Sequence, residues 1–293
     1  AASDVYKRQV AGEGRVGNEA GGNGLETTQL SNFTATSDNS GAKELWRGPW
    51  AGISRTNWIL TNIDKSPKIS DAKKTQYKGE AHFLRGLYYF NLVRLFGDVP
   101  WIDKQQTASD DLQVSRTSKD IVYQHIIDDF SDAASMLPAV YENTTDIGRA
   151  TKGAAFGLLA KVYLTLKRYN ETLVAIDSVM NLGVYSLNRK YEWNFSDLRE
   201  NGPESLFEVQ YEKDVTAYSE FDILGQGGWH HEYMAPLASI NIGGPWGNFG
   251  WFAVYPEFVE SYEPGDLRKS VSVWCEGDVY QGWSYDLSLI HIS

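Results

Sequence analysis

Residues 80–103 read EAHFLRGLYYFNLVRLFGDVPWID, and no other stretch constrains the fold as much. On a helical wheel Phe83, Leu87 and Phe90 share one face. Ala81, Tyr88 and Leu92 share a second, and Tyr89, Val93 and Phe96 a third. A helix that is apolar on so many sides has to be packed on several of them. Its ends are marked as well. Ser70-Asp71 offers an N-cap, Gly97 fits a left-handed C-terminal stop, and Pro100 keeps the helix from resuming. No run of about 18 apolar residues occurs anywhere, so no stretch is a membrane-spanning helix by that measure.

The apolar pattern returns 73 residues later. Ala81 aligns with Ala154, Phe83 with Phe156, Phe90 with Tyr163, Val93 with Leu166 and Phe96 with Tyr169. The shift is about twice the ~34-residue tetratricopeptide period. In such arrays each helical hairpin hides its apolar face on the next, which explains a helix with no polar side. The flanking patterns agree. Residues 43–64 read as helical after Pro49, with Trp50, Ile53, Asn57 and Leu60 or Thr61 along one side, and Ser66-Pro67 ends them. A helix starts near Ser118 with Ile121, Ile127, Phe130, Ala134 and Leu137 on its core side, and ends at Pro138. Thr151 caps a third helix and Asn170 a fourth, closed by Gly183. The short link between the two predicts an antiparallel hairpin.

Outside this block the character changes. Residues 10–41 are rich in Gly and polar residues and read as loop. They lack the GK[ST] of a phosphate-binding loop. ESLFEVQYE (204–212) reads as a short strand, residues 214–255 as irregular, and 257–262 as a short helix. The chain of 293 residues carries a net charge of −11, which argues against nucleic acid and against a polybasic membrane-surface binder. A lone cysteine, Cys275, excludes a disulfide framework and a CxxC zinc site.

Five stretches, in order, carry a family likeness. KGEAHFLRGLYYFNLVRLFGDVPWI resembles the signature helix of the SusD/RagB family, GEA-x-FLRA-x-YYF followed by [FY]G-x-VP. ISRTNWIL, GRATKGAAFGLLAKVYLTLKRYNE, ESLFEVQY and WFAVYPEFVESYEPGDLRKS resemble further segments of that family. The likeness covers roughly 25–287; Gly86 stands where Ala is usual, and Tyr-Pro replaces Pro-Thr at 255–256. It implies a mainly α fold, a tetratricopeptide-like helical repeat scaffold with a large irregular, loop-rich part. On this reading 10–287 is a single SusD-like domain. The scaffold occupies about 43–184, and the ligand-binding part about 185–287 plus the N-terminal loop 10–42. Residues 1–9 and 288–293 resemble translated sequencing-adapter sequence rather than native protein. The resemblance further implies a lipid-anchored outer-membrane protein that caps a TonB-dependent transporter. It would bind glycans, or peptides in the RagB branch, without catalysis and without a cofactor. Cys275 is too far along the chain to be the anchoring cysteine.

A glycan binder needs flat rings against sugar C–H faces and a few directed polar groups. The candidates are Trp46, Arg47 and Trp50, and, in the Gly-rich second half, Trp229, His230, Tyr233, Trp246, Asn248, Phe249 and Trp251. Trp58 and Trp193 read as core, and Trp101 as the seat of the turn after the opening helix. Arg85 and Arg94, amid apolar residues, read as structural, snorkelling or paired with carboxylates between helices. His230-His231-Glu232 carries no metal-ligand spacing, because adjacent His residues on an extended chain point opposite ways. Some members of the family bind calcium, but no Asp-rich loop here supports that. Asp222, Glu232, Glu257 and Glu260 are the carboxylates a glycosidase reading would use. A plain tetratricopeptide scaffold would need an unbroken array, whereas this one carries long insertions.

Overall fold

The structure, a computed structural model, describes residues 14–15, 25–210, 253–273, 275, 279–280 and 283–284. It divides into two compact units, 44–209 and 1–43 with 210–293. The first unit is helical. Helix α2 runs Ser40–Asn62 and enters it from the other unit, α3 covers Asp71–Phe96, α4 Lys119–Met136, α5 Lys152–Thr165 and α6 Tyr169–Met180. Helix α3 packs against α4, α4 against α5 and α5 against α6, the sequential stacking of a tetratricopeptide-type array. Three residues join α5 to α6, as the hairpin reading expected. In the second unit, helix α1 covers Leu25–Ser31, and two-residue strands Gly14–Arg15 and Ala253–Val254 pair antiparallel. Short helices span Pro256–Glu260 and Lys269–Ser272.

The opening helix is enclosed as its sequence demands. No residue from Gln76 to Val93 is exposed. Phe83 packs edge-on to Phe130 of α4, at 5.9 Å between centroids, and to Phe207, at 4.9 Å. Tyr88 lies over Gly52 of α2, where an added Cβ would come within 2.2 Å of its ring. Ser70 caps the start by accepting from Lys73 N–H (3.4 Å). Gly97 ends the helix with φ +69°, as a glycine should, but with ψ −121° it takes the mirror image of an extended residue and not the left-handed helical conformation expected. Among the described residues no helix is long and apolar enough to cross a membrane.

The array departs from the sequence reading where a local interaction outvotes a pattern. Helix α2 starts at Ser40, nine residues before Pro49, because buried Asn39 caps it: its Oδ1 accepts from Ala42 N–H at 2.9 Å. The Asn39 side chain is held in turn by the Glu26 carbonyl and by Gln29. Pro49 sits inside the helix, at the cost of the hydrogen bond its N–H would have donated to the Leu45 carbonyl. Part of the supposed loop 10–41 is therefore helix, at 25–31 and from Ser40 onward. Ile121 is 52% exposed, and Val122 and Ile126 are buried in its stead, whereas Ile127, Phe130, Ala134 and Leu137 are buried as expected. Helix α6 begins at Tyr169, not after Asn170, because Lys167 adopts φ +58° and turns the chain one residue earlier. Residues 204–210 form no strand. Consecutive Leu206 and Phe207 both face helices, Leu206 filling the space beside Gly157 and Phe207 meeting Phe83, and a pleated strand would point them apart. Trp58 is 57% exposed rather than core, since it lies a residue off the Ile53–Asn57 line that faces inward. Trp193 is partly buried and lies under the Arg199 guanidinium (3.7 Å).

Candidate functional site

Aromatic side chains form a continuous row across the seam between α2 and α3. Phe96 meets Trp46 edge-on (5.1 Å), Trp46 meets Trp50 (5.3 Å), Trp50 meets Tyr89 (6.0 Å), and Tyr89 meets Trp101 (4.2 Å). Trp101 then stacks on His125 of α4 at 4.4 Å and 12° between planes. Edge-to-face contacts of this kind contribute about 0.5–1.5 kcal/mol each beyond area burial. The spacing creates the row: Trp46 and Trp50 are one helical turn apart, and Tyr89 and Phe96 are two turns apart on α3. The Trp50 Nε1–H is buried with no hydrogen-bond partner.

Below the row lies a buried polar knot. Arg85 donates to both Asp129 oxygens (2.9 and 2.7 Å), to Asn57 Oδ1 (2.9 Å) and to the Asp103 carbonyl (3.0 Å). His82 Nδ1 lies 2.7 Å from Asp129 Oδ1, and the guanidinium also sits over Trp101 at 5.4 Å. Asn57 donates to the Ile102 carbonyl (2.7 Å), and the Tyr89 hydroxyl accepts from the Ile102 N–H (2.8 Å). The chain just after the opening helix is thus fastened by α2, α3 and α4 at once, and Trp101 seats that turn as expected. Burial pushes the Tyr89 hydroxyl well above its ordinary value of 10.0, with the Ile102 hydrogen bond and Arg85 pulling the other way. A second knot holds the start of α3. Glu80 pairs with Arg149 (2.9 Å), which also reaches Asp146 (2.7 Å), and the Tyr141 hydroxyl lies 3.2 Å from Glu80. Burial, then Glu80, raises the Tyr141 hydroxyl above 10.0.

Of the candidate residues, Trp46 and Trp50 are partly buried members of the row, and Arg47 is exposed and paired with Glu44 (3.2 Å). Trp229, His230, Tyr233, Trp246, Asn248, Phe249 and Trp251 lie outside the described residues, as do Asp222, His231 and Glu232. Glu257 and Glu260 are exposed on the short helix Pro256–Glu260. Among the described residues, no group of three or more His, Cys, Asp or Glu is placed to hold a metal ion. Arg85 takes the structural role expected of it, and Arg94 bonds Asn91 (2.7 Å) and covers the Phe90 ring. The sequence reading missed His82 and Asp129. The signal was present: His82 and Arg85 are one turn apart within the largely apolar stretch 81–90 of α3, and Asp129 sits between core positions Ile126 and Phe130.

A family profile described as "Starch-binding associating with outer membrane" matches residues 3–164, more than half of the chain. The chain belongs to the SusD-like family. A SusD-like protein of Formosa agariphila is 27% identical over 257 residues, covering 84% of this chain and 48% of that protein. A SusD superfamily protein from Parabacteroides distasonis superposes with TM-score 0.75 at 26% identity, over 90% of this chain and 55% of that one. Surface glycan-binding protein A from Bacteroides thetaiotaomicron, solved in complex with laminarihexaose, matches with TM-score 0.75 at 22% identity, over 91% and 56%. These SusD-like folds bear out the mainly α, tetratricopeptide-like architecture expected from the sequence. The chain spans between 38% and 51% of the length of four curated SusD-like relatives.

Proposed function

We propose that this SusD-like chain captures an oligosaccharide at the cell surface of the outer membrane and passes it, uncleaved, to a TonB-dependent transporter. The observation that carries the reading is the family match over 3–164, a family described by starch binding and association with the outer membrane. The chemistry is consistent with it. The described scaffold spends its rings on one another, whereas the Gly-rich stretch 229–251 supplies Trp229, Tyr233, Trp246, Phe249 and Trp251 with His230 and Asn248 among them. Rings give the flat stacking faces, and the two polar side chains give direction to hydroxyls. Trp46, Arg47 and Trp50 remain in the proposed set. The same reading keeps 10–287 as one SusD-like domain and places a lipid anchor on the N-terminal side of it. It invokes no cofactor.

Affinity electrophoresis tests it. Gels cast with soluble starch, laminarin or another neutral glycan should retard the protein, and no reducing ends should appear on long incubation. Released reducing ends would make it a hydrolase, and retardation by none of a broad glycan panel, with binding of peptides, would make it a RagB-type peptide binder. Trp229→Ala, Trp246→Ala and Trp251→Ala should each weaken retardation by roughly tenfold or more at unchanged helical circular dichroism, the loss of one stacked ring. Trp46→Ala and Trp50→Ala should lower the melting temperature, and an effect on retardation beyond that would assign them to the ligand as well.

A further inference from the structure

Trp58 stands apart from the other rings of the helical unit. It takes no part in the row from Phe96 to His125, and at 57% exposure it is the only exposed Trp among the described side chains. It sits one turn before the end of α2. Helical side chains lean toward the N-terminus, and the residues one and two turns back on that face are Ser54 and Ala51, too small to cover an indole. Its neighbours at i+3 and i+4 are Thr61 and Asn62, and these are fixed. Asn62 Nδ2 donates to the Trp58 carbonyl (2.9 Å) and to Gln105 Oε1 (2.7 Å), and Asn62 Oδ1 accepts from Lys65 Nζ (2.9 Å). The Gln105 N–H donates to Thr61 Oγ1 (3.2 Å). The last turn of α2 and the chain that follows α3 are thus tied together beside the ring. Among the described residues these bonds leave the Gln105 Nε2 hydrogens and the Thr61 hydroxyl hydrogen unspent.

A docking protein wants a contiguous apolar patch. No other large apolar side chain between Phe33 and Leu95 is exposed, so Trp58 is one ring among polar groups and not part of such a patch. A single flat face bordered by amide and hydroxyl groups matches a single pyranose. The C–H face of the sugar covers the indole, and its hydroxyls, each both donor and acceptor, meet Gln105 and Thr61. The ligand contacts proposed above in 229–251 belong to the other unit, whereas Trp58, Thr61 and Gln105 all lie in 44–209. We propose that Trp58 is a second, separate glycan contact. Its indole stacks on one sugar of a neutral polysaccharide, and the Gln105 amide and Thr61 hydroxyl bond that sugar's hydroxyls. The inference rests on the reading of the protein as a glycan binder and adds valency to it. A sugar held at Trp58 keeps the rest of the same polymer close to the first contact. A weak second contact therefore raises avidity for long chains and leaves the affinity for short ones as it was.

The test compares the unaltered chain with Trp58→Ala, Trp58→Phe and Gln105→Ala. Gels are cast with soluble starch, laminarin or whichever other neutral glycan of the panel retards the unaltered chain, and calorimetric titrations use a hexasaccharide of the same glycan. Trp58→Ala should weaken retardation by the polymer roughly two- to tenfold, the worth of one stacked ring. Trp58→Phe, which keeps a ring, should recover part of that loss, and Gln105→Ala should weaken retardation as well. Affinity for the hexasaccharide and the melting temperature of both Trp58 variants should stay where they were. Equal losses for polymer and hexasaccharide would put Trp58 in the first contact and overturn the proposal. Unchanged retardation, or a loss that tracks a lowered melting temperature and is not eased by Phe, overturns it too. Each of these results leaves the glycan reading standing. Retardation of the unaltered chain by no glycan at all sinks that reading, and the second contact with it.

Discussion

At the residue scale, Arg85 explains most of what holds the opening helix to its neighbours. Its guanidinium and the Asp129 carboxylate are both almost fully buried, so neither charge is tolerable alone. Asp129→Ala should cost about 3–5 kcal/mol in urea unfolding, whereas His82→Gln, which leaves the ion pair intact, should cost about 1–2 kcal/mol. An equal loss from both would mean that the knot is not organised around the ion pair. The two displaced tyrosines make a pH prediction. Tyr89 and Tyr141 ionise later in the folded chain than the ordinary value of 10.0, so folding disfavours the phenolate. Their contribution to stability is complete below pH 10 and is lost as pH rises beyond it. Stability plotted against pH should therefore turn downward above pH 10, and Tyr141→Phe should flatten that slope even if it lowers stability at neutral pH. Arg85 was legible as structural from its sequence neighbours. Its partners were not, because Asp129 is 44 residues away and Asp128, beside it, is indistinguishable until the phase of α4 is known.

At the element scale, legibility followed periodicity. Helix α3 could be read nearly to its ends because three apolar faces, a cap and a glycine stop all agreed. Helix α2 could not, because its start depends on Asn39 being held by Glu26 and Gln29, a contact across 13 and 10 residues within a stretch that looks like loop. Close approach was also invisible. An added Cβ on Gly79 would lie 2.9 Å from Met136 Cβ and 3.0 Å from Leu137 Cγ, atoms near the backbone of the α4 end that have little room to move. Gly79→Ala should destabilise by about 1–3 kcal/mol despite the better helix propensity of Ala. Gly86→Ala, facing the edge of the Phe130 ring at 3.1–3.3 Å, should be close to neutral, since the propensity gain of about 1 kcal/mol offsets a small shift of that ring. Thermal melts of the two variants side by side decide the matter, and reversal of their order would refute the packing account.

At the scale of the whole molecule, two kinds of region do different work. The helical block is recognisable because its constraints are geometric and repeat along the chain. The proposed ligand-contacting stretch 229–251 has no period, so only residue type marks it. Ring stacking on a neutral sugar involves little net charge. The proposed glycan capture, by a chain as acidic as this one, should therefore change little as salt is raised past physiological strength. A steep salt dependence would instead indicate a charged ligand. The row from Phe96 to His125 has an optical consequence. Indole and phenol rings set about 4–6 Å apart at fixed angles are coupled chromophores, and the unpartnered Trp50 N–H sits in a dry setting that shifts indole emission to the blue. The near-ultraviolet dichroism of this seam is thus a built-in gauge of whether α2 and α3 are still docked, readable without any label.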